Sequence, residues 1–381
     1  MEIFSRRDLL KYSSIGAIFG VSGCLRLQSN ADSESNTDSV INSIELSTGW
    51  EQNVSGSITG TGDHFYVSTF GEEQELVKID LNGDTVFETS GLTDSDTYFN
   101  FYSESDPLVV DDTGTYIGVN GTSSGTEGAR LIRLDSQTGE QIWSHEEENN
   151  FKTVIAPVQL EDLLIYGATN ESDISAVRAL NIDSGDIVWQ FDNFRGRVFQ
   201  LIESDGELWI QTAQSVTRLD IGTQSAIEEI SQINPEYNLQ ASKSGPNVFI
   251  PSDPLTTLEF ESGEILWSRE GSINLSTNPA VGDRAVFYCT TSGYVRAYEK
   301  TSGDRLWETR VDGAVGNPIS LDQNSLWVGT SRGFLLAFDA ATGDALYKNQ
   351  IVTGRDANFS FAVLGDMLFD SHRTTAYRIQ Y

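Results

Sequence analysis

Cysteine is almost missing from this chain of 381 residues. Cys24 and Cys289 are the only two, so no structural disulfide can close within a domain that starts after the first of them. Histidine is limited to His64, His145 and His372, which lie far apart and without metal-ligand spacing. Lysine occurs six times, and Lys plus Arg reach 24 against 56 Asp plus Glu, a formal net charge of −32. A surface of that sign repels nucleic acid, whose phosphates need clustered cations. Long apolar runs are also scarce. Ile15 to Val21 is too short to cross a bilayer core of about 30 Å. No helical hydrophobic period competes with the β patterns described next.

One phrase recurs with a period of 40. Leu258 to Trp267, Tyr298 to Trp307 and Phe338 to Tyr347 each run as apolar alternation, a Ser/Thr-Gly turn and further alternation. Gly263, Gly303 and Gly343 are equally spaced, as are Trp267, Trp307 and Tyr347. A period in this range belongs to a solenoid, array or propeller, and each copy reads as strand, turn, strand. Weaker copies occur at Asn82-Gly83, at Thr138-Gly139 before Trp143 and at Ser184-Gly185 before Trp189. A degenerate copy spans Arg218 to Glu229, with Gly222 early in its turn and Glu228 at the Trp position.

These are seven turns, and the eighth unit is split. Ala376 to Tyr381 matches Ala297-Tyr298-Glu299, but the chain stops there. Its missing last strand is supplied by Glu45 to Glu51, where Trp50-Glu51 matches Trp307-Glu308. Residues 44–381 shared among eight units give about 42 each, enough for four short strands. The expected fold is all-β, an eight-bladed propeller of four-stranded blades whose last blade is closed by the N-terminal strand. Pro107, Pro157, Pro279 and Pro318 are expected at the entries of first strands, where a missing N–H costs least.

Ahead of the propeller, Ser5-Arg6-Arg7-Asp8-Leu9-Leu10-Lys11 resembles the twin-arginine export signal, carried by Arg6 and Arg7. Val21-Ser22-Gly23-Cys24 resembles a lipobox. The resemblance implies that residues 1–23 are a removed signal peptide and that Cys24 carries a lipid with two hydrocarbon chains, sufficient for stable anchoring. Residues 24–43 then form a lipidated linker. Its stretch from Leu25 to Asn42, rich in Ser, Asn and Asp, has a root-mean-square reach of roughly 20–25 Å. The expected location is the extracellular side of the cytoplasmic membrane, with the protein a monomer. The acidic, Lys-poor composition resembles that of proteins from high-salt organisms, haloarchaea in particular, whose dense carboxylates keep the surface hydrated.

Ala297, Gly303 and Trp307 stand at offsets of six and four, as do Ala179, Gly185 and Trp189. This pattern resembles the quinoprotein-like (PQQ-type) propeller repeat, in which the Trp docks between Ala and Gly positions of neighbouring blades. Phe87, Tyr347 and Glu228 depart from it at the Trp position. The resemblance covers most of residues 45–381 and admits two functions. One is a lipid-anchored, non-enzymatic scaffold that binds a protein or ligand; the lipoprotein subunit of the bacterial outer-membrane assembly machine has this fold. The other is a dehydrogenase using PQQ and Ca²⁺. Enzymes of that kind are typically longer, and many carry an adjacent cysteine pair that this chain lacks. No cofactor and no enzymatic activity are therefore expected.

Local motifs with catalytic spelling have plainer readings. Cys289 follows Phe287-Tyr288 in a strand and reads as a buried, inert thiol. Gly121-Thr122-Ser123-Ser124-Gly125 has the spelling of a nucleophile elbow but no helix after it. His145-Glu146-Glu147-Glu148 reads as a solvated charge run at a strand end. Asp80 to Asp84 and Asn181 to Asp186 do not complete a calcium-ligand series and read as hairpin turns. Asn53, Asn120, Asn170, Asn274 and Asn358 each begin Asn-x-Ser/Thr, a number that composition alone produces.

The sequence also points to a binding face. The turns of the 40-residue phrase vary little, whereas the loops entering each blade and those between its second and third strands vary widely. Gly83 and Gly139 are 56 apart, and the excess falls in Thr93 to Asp106 and Asn120 to Arg130. The first insert carries Tyr98, Phe99, Phe101 and Tyr102. Phe194 and Arg195 are expected in the entry loop of blade four. Aromatics mixed with arginine are the residue types of interface anchors, and the alternative is that the rings turn inward and plug the central channel.

Overall fold

The computed structural model describes residues 44–380 apart from 53, 55, 70–73, 94–96, 100–107, 112–113, 123–127, 148–150, 156, 205–206, 213–214, 224, 231–232, 234–238, 271–273, 323, 352–360 and 371–374. Eight antiparallel sheets form a closed ring. In chain order the blades occupy 56–89, 97–146, 151–195, 198–230, 242–269, 280–310 and 315–350, and the eighth is built from 361–380 plus Glu45–Glu51. The N-terminal strand pairs with Thr375–Gln380, and Trp50 stands opposite Ala376 as Trp307 stands opposite Ala297. The two ends of the propeller thus close one blade, and no sheet is left half-built.

First strands of neighbouring blades touch around the centre, and fourth strands form the rim. Second strands are almost entirely buried, as in Ala285–Cys289 and Ser325–Thr330. Their Phe, Tyr and Trp rings are the largest fully buried side chains of most blades and fill the space between sheets.

Every rim strand carries a β-bulge immediately before its docking position. The register slips between Thr48 and Trp50, Gln141 and Trp143, Ile187 and Trp189, Ile265 and Trp267, Arg305 and Trp307, and Ala345 and Tyr347; blades one and four show the same slip before Phe87 and Glu228. A bulge re-aims the next side chain, and here it turns the ring onto the following blade. Trp267 Nε1 donates to the Lys300 carbonyl at 3.1 Å, Trp307 Nε1 to Ala340 at 3.0 Å, Trp143 Nε1 to Ile182 at 3.1 Å and Trp50 Nε1 to Leu81 at 3.0 Å. Each acceptor is an early residue of the neighbour's third-to-fourth-strand turn. Gly303 and Gly343 adopt φ of 71° and 77° there, and a Cβ on either would lie 2.5 or 2.7 Å from the docked indole. Glycine is required twice over at these positions, for the left-handed backbone and for the close approach.

The prolines divide. Pro157 and Pro279 directly precede first strands, as expected, whereas Pro318 lies inside Val315–Asp322, where the register slips between Gly316 and Ile319. The slip leaves a position that needs no ladder N–H. Pro107 lies outside the described residues.

Candidate functional site: the loop face of blades two and three

The short turns between third and fourth strands are closed by their own side chains. Asp135 accepts hydrogen bonds from the backbone N–H groups of Gln137 and Thr138 at 2.9 and 2.8 Å, Asn181 from those of Asp183 and Ser184, and Asp339 from those of Ala341 and Thr342. Donation from Thr138 and Gln137 holds the Asp135 carboxyl below its ordinary pKa, and donation from Ser262 does the same for Glu259. These are hairpin turns, as the sequence indicated, and their polar groups are spent locally. The opposite face carries the variable loops.

On that face, blade two has a first strand in two pieces. Thr97–Phe99 and Leu108–Val110 both pair with Gly114–Gly121. The insert is fastened at its base: Gln74 Oε1 accepts the Phe99 N–H at 2.7 Å, Thr93 Oγ1 accepts the Gln74 N–H at 2.7 Å, and Arg130 donates to the Leu92 carbonyl. Phe99 is 0% exposed and packs with Tyr66, Leu76, Phe87 and Ile117 in the core between blades one and two. This corrects its assignment to the partner face. Strand alternation sends Phe99 inward and leaves Tyr98, opposite Asn120, half-buried. Phe101 and Tyr102 lie outside the described residues, as do Arg6, Arg7 and Cys24.

A second correction concerns Phe194 and Arg195. They belong to the rim strand of blade three, Ile187–Arg195, with Phe194 opposite Ser175 and Arg195 opposite Ile174, so the entry to blade four shrinks to Gly196 and Arg197. Continued backbone pairing carries the strand through what the sequence suggested was loop. Phe191 packs against the core of blades three and four.

The run His145-Glu146-Glu147-Glu148 is not uniformly solvated. The Glu147 side chain is 1% exposed and lies between blades two and three, where Arg178 Nε donates to both its oxygens at 2.9 and 3.0 Å and the Tyr166 hydroxyl donates to Oε1. Arg178 reaches on to Asp192 at 3.1 Å and stacks 5.1 Å from the Phe151 ring. Burial and the adjacent carboxylate push the Tyr166 hydroxyl well above its ordinary pKa, so it stays a donor. Sequence alone could have suggested a buried partner: Arg178 is a cation flanked by Val177 and Ala179 in the third strand, and such a residue needs an acceptor nearby.

The central channel opens into a cavity of about 580 Å³ lined by first-strand residues of blades one to five, among them Val110, Ile155, Leu201, Gln159, Glu203 and Lys243. Neither Tyr98 nor Phe99 is among the lining residues. The wall mixes apolar side chains with Thr61, Gln159, Gln200, Glu203 and Lys243, and Lys243 is the one cation among the described lining residues, a poor match for the three carboxylates of PQQ. Among the described residues no cluster of His, Cys, Asp and Glu is placed to hold a metal ion. Cys289 is fully buried, and burial pushes its thiol up to about 12, far from a reactive thiolate. Ser123 lies outside the described residues, but the chain re-enters a strand at Arg130 with no helix in that interval's described part.

An eight-bladed ring with an aromatic docked on the next blade's glycine turn defines the quinoprotein-like class of propeller. A family model described as outer membrane protein assembly factor BamB matches residues 105–210 and 251–371, more than half of the chain, and the protein belongs to that family. Among solved structures, BamB from Moraxella catarrhalis is similar with a TM-score of 0.63 at 18% identity, covering 89% of this chain and 98% of that one. The computationally designed protein Ika8 reaches 0.65 at 12% identity, over 88% and 98%. The quinohemoprotein alcohol dehydrogenase ADHIIG from Pseudomonas putida HK5 reaches 0.63 at 11%, over 89% and 76%. At these identities the likenesses establish the fold. Comparison with curated proteins finds no match.

Proposed function

We propose that this propeller is a non-enzymatic scaffold, held at the outer side of the cytoplasmic membrane by a lipid on Cys24, that binds a protein partner through the loop face of blades one to three. Membership of the BamB family is the observation that carries the scaffold reading. The fastened insert of blade two supports the choice of face, because Phe99 anchors a segment whose Tyr98 stays partly open beside the loop edge. The likeness to a quinohemoprotein dehydrogenase favours the second reading, a PQQ enzyme. The single cation among the described channel-lining residues weighs against that reading, since PQQ carries three carboxylates, and an absorption titration with PQQ and Ca²⁺ separates the two.

The face is tested by placing a photo-crosslinking residue at position 98 or 101 and, as the comparison, at Thr342 on the short-turn face, in intact cells. One discrete adduct from 98 and 101 with none from 342 is expected; equal labelling from both faces would overturn the assignment. Cys24→Ser should shift the protein from the membrane fraction to the medium. Wild-type protein found wholly soluble would remove the anchor.

A further inference from the structure

Five Asn-x-Ser/Thr triplets occur in the chain, and the structure separates the three that lie among the described residues. Asn120 is 0% exposed, its Oδ1 accepts the Val154 N–H at 2.8 Å, and the Thr122 hydroxyl of the same triplet is buried. Asn274 is exposed with φ of 62°, but Leu275 is packed in the core and the Ser276 hydroxyl is buried. A transferase must reach both the amide and the hydroxyl two residues on. Both triplets deny it one or the other.

Asn170-Glu171-Ser172 differs from both. It forms the hairpin between the second and third strands of blade three, with Glu171 and Ser172 exposed. Asn170 Oδ1 accepts the backbone N–H groups of Ser172 at 2.9 Å and Ile174 at 3.0 Å. The carbonyl half of the amide is thereby held against the turn, and Nδ2, the atom that would be modified, makes no bond within the described chain. We propose that Asn170 is an N-glycosylation site, a reading that rests on export of the chain. The donor class is a lipid-linked glycosyl phosphate. Nδ2 forms a bond to the sugar C1 as the C1–O bond to phosphate breaks, the lipid phosphate leaves with that electron pair, and one amide proton passes to the transferase's base. The glycan stands on the loop face and bounds the partner surface on its blade-three side.

The test is mass spectrometry of peptides from the full-length protein isolated from the cells that export it. A glycan on Asn170, with bare Asn120 and Asn274, is expected. Ser172→Ala should reduce occupancy of Asn170 to background and Ser172→Thr should keep it. Neither change removes the two turn bonds, since both donors are backbone N–H groups, so loss in Ser172→Ala is not a folding effect. A bare Asn170 in protein that protease shaving shows to be on the cell surface would overturn the proposal. Should shaving show the chain retained inside, the export reading fails separately. The folded protein is then incubated with membrane oligosaccharyltransferase and lipid-linked oligosaccharide: transfer to Asn170 supports the site, and transfer elsewhere or none overturns it.

Discussion

Lys78 Nζ donates a 2.8 Å hydrogen bond to the carbonyl of Ser136, across the seam between blades one and two. Ser136 opens the turn of blade two, the place where four other seams receive a tryptophan N–H. Blade one has Phe87 at the docking position, and Phe87 has no donor to offer. Its ring still covers Gly139, and Lys78, running between Tyr66 and Phe87, supplies the missing bond. Blade four uses a related solution: Glu228 occupies the Trp position, and Arg218, stacked on Trp209, donates to the Glu261 carbonyl of blade five, one residue beyond the position equivalent to Ser136. Where the rim residue is Trp307, the third strand carries the small Ala297. In blade two both positions carry donors, and Arg133 and Trp143 each donate to the Ile182 carbonyl, at 2.9 and 3.1 Å.

This pairing makes the first prediction. Lys78→Ala removes a buried hydrogen bond to the Ser136 carbonyl and should cost about 1–3 kcal/mol. Adding Phe87→Trp to Lys78→Ala rebuilds the Ala–Trp arrangement of blade six, so the double variant should melt well above the single one. A double variant no more stable than Lys78→Ala would show that the two positions do not share one acceptor.

The docked glycines separate backbone strain from contact. Gly343 and Gly365 both have positive φ, 77° and 57°, but a Cβ on Gly343 meets the Trp307 ring whereas one on Gly365 meets nothing within 4 Å. Gly365→Ala should cost about 1–2 kcal/mol for the left-handed backbone. Gly343→Ala should cost at least about 1 kcal/mol more, because the indole must shift as well. Denaturant midpoints of the two variants give the difference directly; equal midpoints would mean that the Trp seat is loose.

How far this architecture was legible in the sequence follows from the same residues. The glycine turns and the split eighth blade could be read because left-handed turns demand glycine and because Trp50 keeps the spacing of Trp307. Phe87 and Glu228 were visible as departures, but their compensation by Lys78 and Arg218 needs the knowledge that third-strand and rim side chains of one blade reach the same carbonyl. Tyr98 to Tyr102 has aromatics at four of five positions, so it shows no alternation to reveal that Phe99 faces the core. Glu147 looked solvated because its partner, Arg178, is 31 residues away in the next blade.

The pair Glu147 and Arg178 gives a third prediction. Arg178→Met strands a carboxylate that is almost wholly buried, and the expected loss is about 3–5 kcal/mol. Replacing both, as Glu147→Leu with Arg178→Met, removes the stranded charge and should recover a large part of it. If the double variant is less stable than Arg178→Met, the ion pair is not the reason these residues are needed.

Turn carboxylates predict an acid response. Asp135 is held below its ordinary pKa by the N–H donors of its turn. A depressed folded-state pKa contributes stability that is present above the unfolded value and is lost as pH falls through the folded one. Asn181 closes the equivalent turn of blade three with an uncharged oxygen. Asp135→Asn should therefore keep the fold at neutral pH and melt with a shallower dependence on pH below about 4 than the wild type. Parallel curves for the two proteins would deny Asp135 a share in acid unfolding.

Charge over the whole domain yields the last prediction. Counted without residues 1–23, which hold three basic and two acidic residues, the chain has 21 basic against 54 acidic residues, a net charge of −33. The buried cations Lys78, Arg178 and Arg218 are already committed to seam contacts, so they neutralise little of the outer surface. Self-repulsion among surface carboxylates falls as the screening length shortens, from roughly 10 Å at 0.1 M salt to 3 Å at 1 M. The melting temperature should rise by several degrees or more between tens of millimolar and molar KCl. Guanidinium chloride, itself a salt, should give an apparent stability above that from urea in low salt. A melting temperature indifferent to salt would mean that the carboxylates are spaced widely enough for water alone to screen them, and the high-salt reading of the composition would fall.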